Sequence, residues 1–265
     1  MSATLADIFY NFHRYKPETP EGRFFDRMQA LDITTIYPLL LFAFDRLAED
    51  TKQRNELLAD LESYLVRRMV CGLTTKNYNR ILLDVKIKLK SGGPNLVTIA
   101  REHLLTFKGD SDRWPDDDEF FKAWRNEPLY RRITRPRLRM ILESLEMQTR
   151  TGKTEDIKVK KNLTIEHLMP QAWPAHWPLP NNDPKSEEMR EAMSHTIGNL
   201  TRITNRLNPA LSNSPWVNKR KEIIKHSVLV MNAYFQDKEE WNEEEIGTRS
   251  RYLFGMAKKI WARPE

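Results

Sequence analysis

The chain has 265 residues, 40% hydrophobic and 30% charged, with a net charge of +6 and a pI of about 9.3. That composition excludes a disordered chain and leaves room for one large domain or two modest ones. The longest apolar run, Tyr37 to Phe44, is far too short to cross a bilayer, and Cys71 is the only cysteine, so no membrane partner, intrachain disulfide or cysteine-built zinc knuckle is expected.

No basic segment followed by an apolar one opens the chain, so a cytoplasmic location is expected. The excess of Lys and Arg favours a polyanionic partner, because cations that neutralise phosphates release counterions. In the first half Leu57, Leu58, Leu61, Tyr64, Leu65 and Met69 recur at helical spacing and predict one apolar stripe. Tyr78, Leu82, Val85 and Leu89 repeat the pattern after Thr74-Thr75, which reads as a cap. Val85 to Lys90 also alternates with period two, as a strand would; helix is preferred because it continues the preceding stripe. Ser91-Gly92-Gly93-Pro94 ends it. Asp116 to Glu119 place acids where a helix carrying Phe120, Phe121 and Trp124 would begin, and Pro136 suits the first turn of another bearing Leu138, Ile141, Leu142 and Leu145.

Residues 147–160 are polar, and a domain boundary is placed there: a helical domain over 1–150, for linking, docking or DNA binding, and a second domain over 151–265. Gly152-Lys153-Thr154 has the ending of a phosphate-binding P-loop, but Met147 stands where its first glycine is required. Beyond it, Leu163 to His167 and Leu200 to Thr204 are short β-type runs, separated by a loop rich in proline and tryptophan and a helix over 186–193. Further helices are predicted over 215–225 and 243–261.

The chemistry concentrates at Glu166-His167. Hydrolysis of a phosphodiester needs a deprotonated water, neutralisation of charge on the phosphoryl oxygens and a stabilised leaving oxygen. A neutral histidine suits the first task, and a hard divalent ion the other two. Mg²⁺ or Mn²⁺ takes oxygen ligands, often only one or two of them from protein; Glu166 and the amide oxygen of Asn208 are candidates. Neighbours on a regular strand point to opposite faces, so Glu166 and His167 share a site only if the chain bends there. Pro170 favours such an exit from the strand. The clustered Arg131, Arg132, Arg135, Arg137 and Arg139 are either a solvated helix face or a phosphate contact.

Spacing extends this pair into a pattern. His167-Leu168-Met169-Pro170, then His195-x-x-Gly198-Asn199-Leu200-Thr201, then Leu207-Asn208-x-x-Leu211-Ser212-Asn213-x-x-Trp216-x-x-Lys219 resembles the HNH, or His-Me finger, endonucleases. More narrowly it resembles the C-terminal nuclease domain of GmrSD-like modification-dependent restriction proteins, to which the phosphorothioate-sensing SspE proteins are similar. The resemblance covers roughly residues 160–225 and implies a mainly α protein with a small embedded ββα-metal module.

It also implies a DNA endonuclease of phage defence that uses one Mg²⁺ or Mn²⁺ ion and leaves 5′-phosphate and 3′-hydroxyl ends. His167 would be the general base, Glu166 and Asn208 the metal ligands, and Asn199 the residue that holds the hairpin and orients His167 through the backbone. His195 would assist catalysis or pack beneath it. Lys219 would contact phosphate or support the motif, and Arg202, Lys160, Lys161 and Arg135 would contact DNA. The resemblance further implies an N-terminal sensor and nucleotide-hydrolysing domain as partner, of which the chain would be the C-terminal part; a homo-oligomer is also allowed. Two other readings share the pattern: a non-catalytic DNA-binding or interaction module, and an RNA-directed nuclease. Glutamate stands where HNH enzymes often carry aspartate, and with no cysteine staples, hydrophobic packing must hold the hairpin.

Overall fold

Helix caps and apolar stripes shape the first half of the chain. The computed structural model describes residues 4–150, 163–175, 177–179, 183–204, 207, 211 and 213–265. Two compact units result, Met1–Phe120 with Trp261–Glu265, and Phe121–Ile260. Among the described residues no helix is long and apolar enough to cross a membrane.

The first unit strings together α1 (Leu5–Asn11), α2 (Pro20–Leu31), α3 (Tyr37–Arg46), α4 (Thr51–Val70), α5 (Tyr78–Ser91) and α6 (Leu96–Thr106). Thr19 caps α2 by accepting from the Gly22 amide, with Pro20 in the first turn, and Asp50 caps α4 by accepting from Gln53. The stripe Leu57, Leu58, Leu61, Tyr64 and Leu65 is buried, as its spacing requires. Helix α5 absorbs Val85 to Lys90: Val85 and Leu89 are buried while Ile87 is 57% exposed, which a strand of period two would not allow. Its start differs from expectation. The cap position is Asn77, without a side-chain hydrogen bond, and the Thr74 hydroxyl instead accepts from Lys76 N at 3.3 Å.

Helix α7 (Asp117–Asn126) follows, its first turn held by Asp116 Oδ1, which accepts from Glu119 N at 2.8 Å. The second unit then contains α8 (Leu129–Arg132), α9 (Arg135–Thr149), β1 (Leu163–His167), α10 (Pro184–Ser194), β2 (Leu200–Thr204), α11 (Trp216–His226) and α12 (Glu243–Ile260). The strands form one antiparallel pair, in register from Leu163 opposite Thr204 to His167 opposite Leu200. Both strands have the bounds expected from their β-type runs. Helix α9 packs within this unit, where Glu146 accepts from Val230 N and Met231 N at 3.0 and 2.9 Å. The division by packing falls within α7, between Phe120 and Phe121. Residues 151–162 of that segment, with Gly152-Lys153-Thr154, lie outside the described residues.

The core of the second unit is aromatic. Leu168, Met169, Trp173, Trp177, Ile203, Trp216, Phe235, Trp241 and Ile246 pack into one buried cluster, so Trp173 and Trp177 are packing residues beside the hairpin. Burying a large aromatic side chain is worth roughly 2–3 kcal/mol. The cluster supplies the hydrophobic packing that a chain without disulfides needs.

Candidate active site

His167 ends β1, and the segment after it is held by one residue. Leu168 N donates to Asn199 O at 2.9 Å and Met169 N to Asn199 Oδ1 at 2.8 Å. Asn199 Nδ2 donates to Met169 O and Ser194 O, both at 2.8 Å, and Trp241 Nε1 donates to Asn199 Oδ1 at 3.0 Å. Asn199 is wholly buried, so its amide is saturated where water cannot replace these bonds. The short 3₁₀ turn Ile197–Asn199 that presents it is fixed in its turn by α12. Arg249 Nη1 donates to Gly198 O and Leu200 O, both at 2.8 Å. A Cβ at Gly198 would lie 2.2 Å from Ile246 O, so only glycine allows the turn this close to α12.

Glu166 and His167 meet different neighbours: the strand keeps regular register as far as His167, so the bend expected to turn both side chains to one site is not seen. Glu166 Oε1 lies 2.6 Å from Lys219 Nζ on α11, and Lys219 also donates to His167 O at 2.7 Å. Burial pushes the Glu166 carboxyl above its usual range and Lys219 below its own; each partner's charge opposes the other's shift. Lys219 is wholly buried, so here it supports the end of β1.

The His167 ring turns towards α8 and α10. Its Nε2 is 3.3 Å from His195 Nδ1, and the Tyr130 ring stands edge-on to it with centroids 4.2 Å apart. Tyr130 also stacks on His195 at 5.7 Å, donates its backbone N–H to His195 O at 3.1 Å, and carries the Arg135 guanidinium 3.4 Å above its ring. Behind them, His195 Nε2 lies 3.6 Å from Glu191 Oε1, and Glu191 is also bound by Arg131 and by Trp173 Nε1.

Burial, then repulsion from His195 whenever that ring is protonated, and the positive charge of Lys219, Arg135 and Arg131 hold His167 down at about 3. The imidazole is therefore neutral at physiological pH. Folding depresses this pKa from 6.5, so the stability linked to it is complete above that value and is lost as pH falls towards 3. Urea melts between about pH 7 and about pH 4 should show a smaller loss of stability for His167→Gln than for the parent protein. Equal losses would mean that His167 does not titrate with unfolding.

Other expected site residues are placed differently. Arg202, expected at DNA, is only 2% exposed, and its Nη2 is 2.7 Å from Glu143, because both faces of β2 are buried. Arg135 and Arg131 are exposed beside the histidines. Lys160, Lys161, Asn208 and His176 lie outside the described residues. Tyr130 and Glu191 were not singled out from sequence. Glu191 had a legible signal, four positions before His195 on one helix face; Tyr130 had none.

Among the described residues no group of three or more His, Cys, Asp or Glu is gathered to hold a metal ion. Glu166 offers the right donor chemistry, with one oxygen engaged by Lys219.

A family model for the C-terminal domain of GmrSD restriction endonucleases matches residues 114–256, more than half of the chain. No curated protein matches it.

Proposed function

Because the chain belongs to the family of GmrSD restriction endonuclease C-terminal domains, we propose that it is an HNH-type endonuclease module that hydrolyses DNA phosphodiesters in a modification-dependent restriction system. One observation carries this reading: a neutral histidine ends β1, and the backbone after it is gripped at Met169 N and O by a single buried asparagine. A catalytic base needs an unprotonated nitrogen and a fixed direction, and these features of His167 support that role.

In the proposed reaction His167 removes a proton from water, the water oxygen bonds to phosphorus, and the bond to the 3′-oxygen breaks, that oxygen taking a proton from solvent, to leave 5′-phosphate and 3′-hydroxyl ends. Asn199 orients His167 through the backbone. Glu166 and Asn208 would hold one Mg²⁺ or Mn²⁺, which when bound neutralises charge on the phosphoryl and leaving oxygens. Lys219 favours the ionised form of Glu166, which a metal ligand requires. Arg135 and Arg131 offer cations to the DNA backbone, and Lys160 and Lys161 extend that set. Such contacts read no sequence, so target choice would belong to a sensor domain elsewhere in the protein.

Supercoiled plasmid incubated with the protein and Mg²⁺ or Mn²⁺ should be nicked or linearised, and EDTA should stop the reaction. Binding without cleavage under every metal condition would leave a non-catalytic DNA-binding module, and cleavage of RNA in preference to DNA would reassign the substrate. Asn208→Ala is expected to weaken Mn²⁺ binding about tenfold or more, measured by calorimetry. Unchanged affinity would remove Asn208 from the ligand set.

A further inference from the structure

His167 Nε2 faces His195 Nδ1 at 3.3 Å, and His195 Nε2 faces Glu191 Oε1 at 3.6 Å. These four atoms lie in series; the outer separation is longer than a hydrogen bond, so Glu191 acts on the buried His195 Nε2 through its charge. A carboxylate only accepts, so it favours a proton on His195 Nε2. With that nitrogen protonated in a neutral ring, His195 Nδ1 is an acceptor. It then favours a proton on His167 Nε2, and Nδ1 becomes the basic nitrogen of His167.

From this series we infer that Glu191 and His195 are positioning residues that set the tautomer of His167, so that Nδ1 is the atom that accepts the proton from water. The inference rests on the proposed role of His167 as base. Burial and packing give the series its force. His195 is wholly buried, and Tyr130 stacks on it while standing edge-on to His167, which holds both ring planes. Arg131 and Trp173 hold Glu191 in turn, Trp173 Nε1 at 3.4 Å from its second oxygen. When His167 gains its proton it becomes an imidazolium, and the Glu191 carboxylate at the far end of the series opposes the new charge. The Glu191 side chain is 40% exposed, so shortening it leaves the core packed.

The test is ¹⁵N NMR of the full chain labelled at histidine, in EDTA, combined with kinetics on plasmid DNA. Both imidazoles should be neutral with the proton on Nε2. Glu191→Ala should populate both tautomers of His195 and lower kcat about tenfold with KM for DNA unchanged, and a thermal melt should show the fold retained. A proton on His167 Nδ1 in the parent protein overturns the inference, and so does a Glu191→Ala variant with unaltered histidine spectra or unaltered kcat. The spectra need no cleavage. An inactive protein with the expected tautomers would therefore refute the nuclease reading while leaving the geometry of the series intact.

Discussion

Replacing His167 with alanine is expected to abolish plasmid cleavage while leaving the fold and DNA binding in place. A positioned general base contributes roughly 10²–10⁴-fold to rate, and among the described residues the neighbouring imidazole, His195, is wholly buried behind His167. The structural loss is modest. The ring contributes the contact to His195 and the edge-on contact to Tyr130, whereas Asn199 and Lys219 hold the segment through backbone atoms that alanine keeps. Truncation should therefore cost about 1–2 kcal/mol. The measurement pairs a nicking assay in Mg²⁺ with a gel-shift titration in EDTA. Nicking retained by His167→Ala would remove His167 from the role of base, and lost DNA binding would move it to the interface instead.

Asn199→Ala should be the more damaging change to the protein itself. It deletes all four side-chain hydrogen bonds, leaving Met169 N, Met169 O, Ser194 O and Trp241 Nε1 without that partner inside the protein. Each buried polar group left unsatisfied costs about 1–3 kcal/mol, and because neighbouring losses do not add fully, a total of roughly 3–5 kcal/mol is expected. That is a large share of a typical domain's stability. Asn199→Asp separates packing from bonding: it keeps the shape and the acceptor for Met169 N and Trp241 Nε1 but cannot donate to Met169 O or Ser194 O. Both variants should unfold at lower urea concentration than the parent, alanine more so, and cleavage should fall with the loss of alignment at 168–169. An Asn199→Ala protein as stable and active as the parent would mean that the buried amide does not organise the site.

The strands were readable because their information is local. Leu163-Thr164-Ile165 and Leu200-Thr201-Arg202-Ile203-Thr204 are rich in residues that favour a pleated surface, and Pro170 and Gly198 stand close beyond one end and before the other. The role of Asn199 was implied by the resemblance, not by its own local sequence. The fates of the charged residues were not. Lys219 and Arg202 look like surface cations in a basic chain, yet both are buried, one against Glu166 and the other against Glu143. Tyr130 comes to the histidines from a helix far earlier in the chain, with no spacing to announce it.

By itself, then, the sequence determined the two short strands and several of the helices, because periodicity, turn residues and caps act over a few positions; that the strands pair as a hairpin around Glu166, His167 and Asn199 was implied by the resemblance. Only the tertiary structure decided that Glu166 is paired with Lys219, that Asn199 grips Met169 from both sides, and that Tyr130, His195 and Glu191 stand behind His167. Those outcomes depend on which distant surfaces exclude water together. Burial is what makes an unmatched charge or amide costly, and so selects the partner that each of these groups meets.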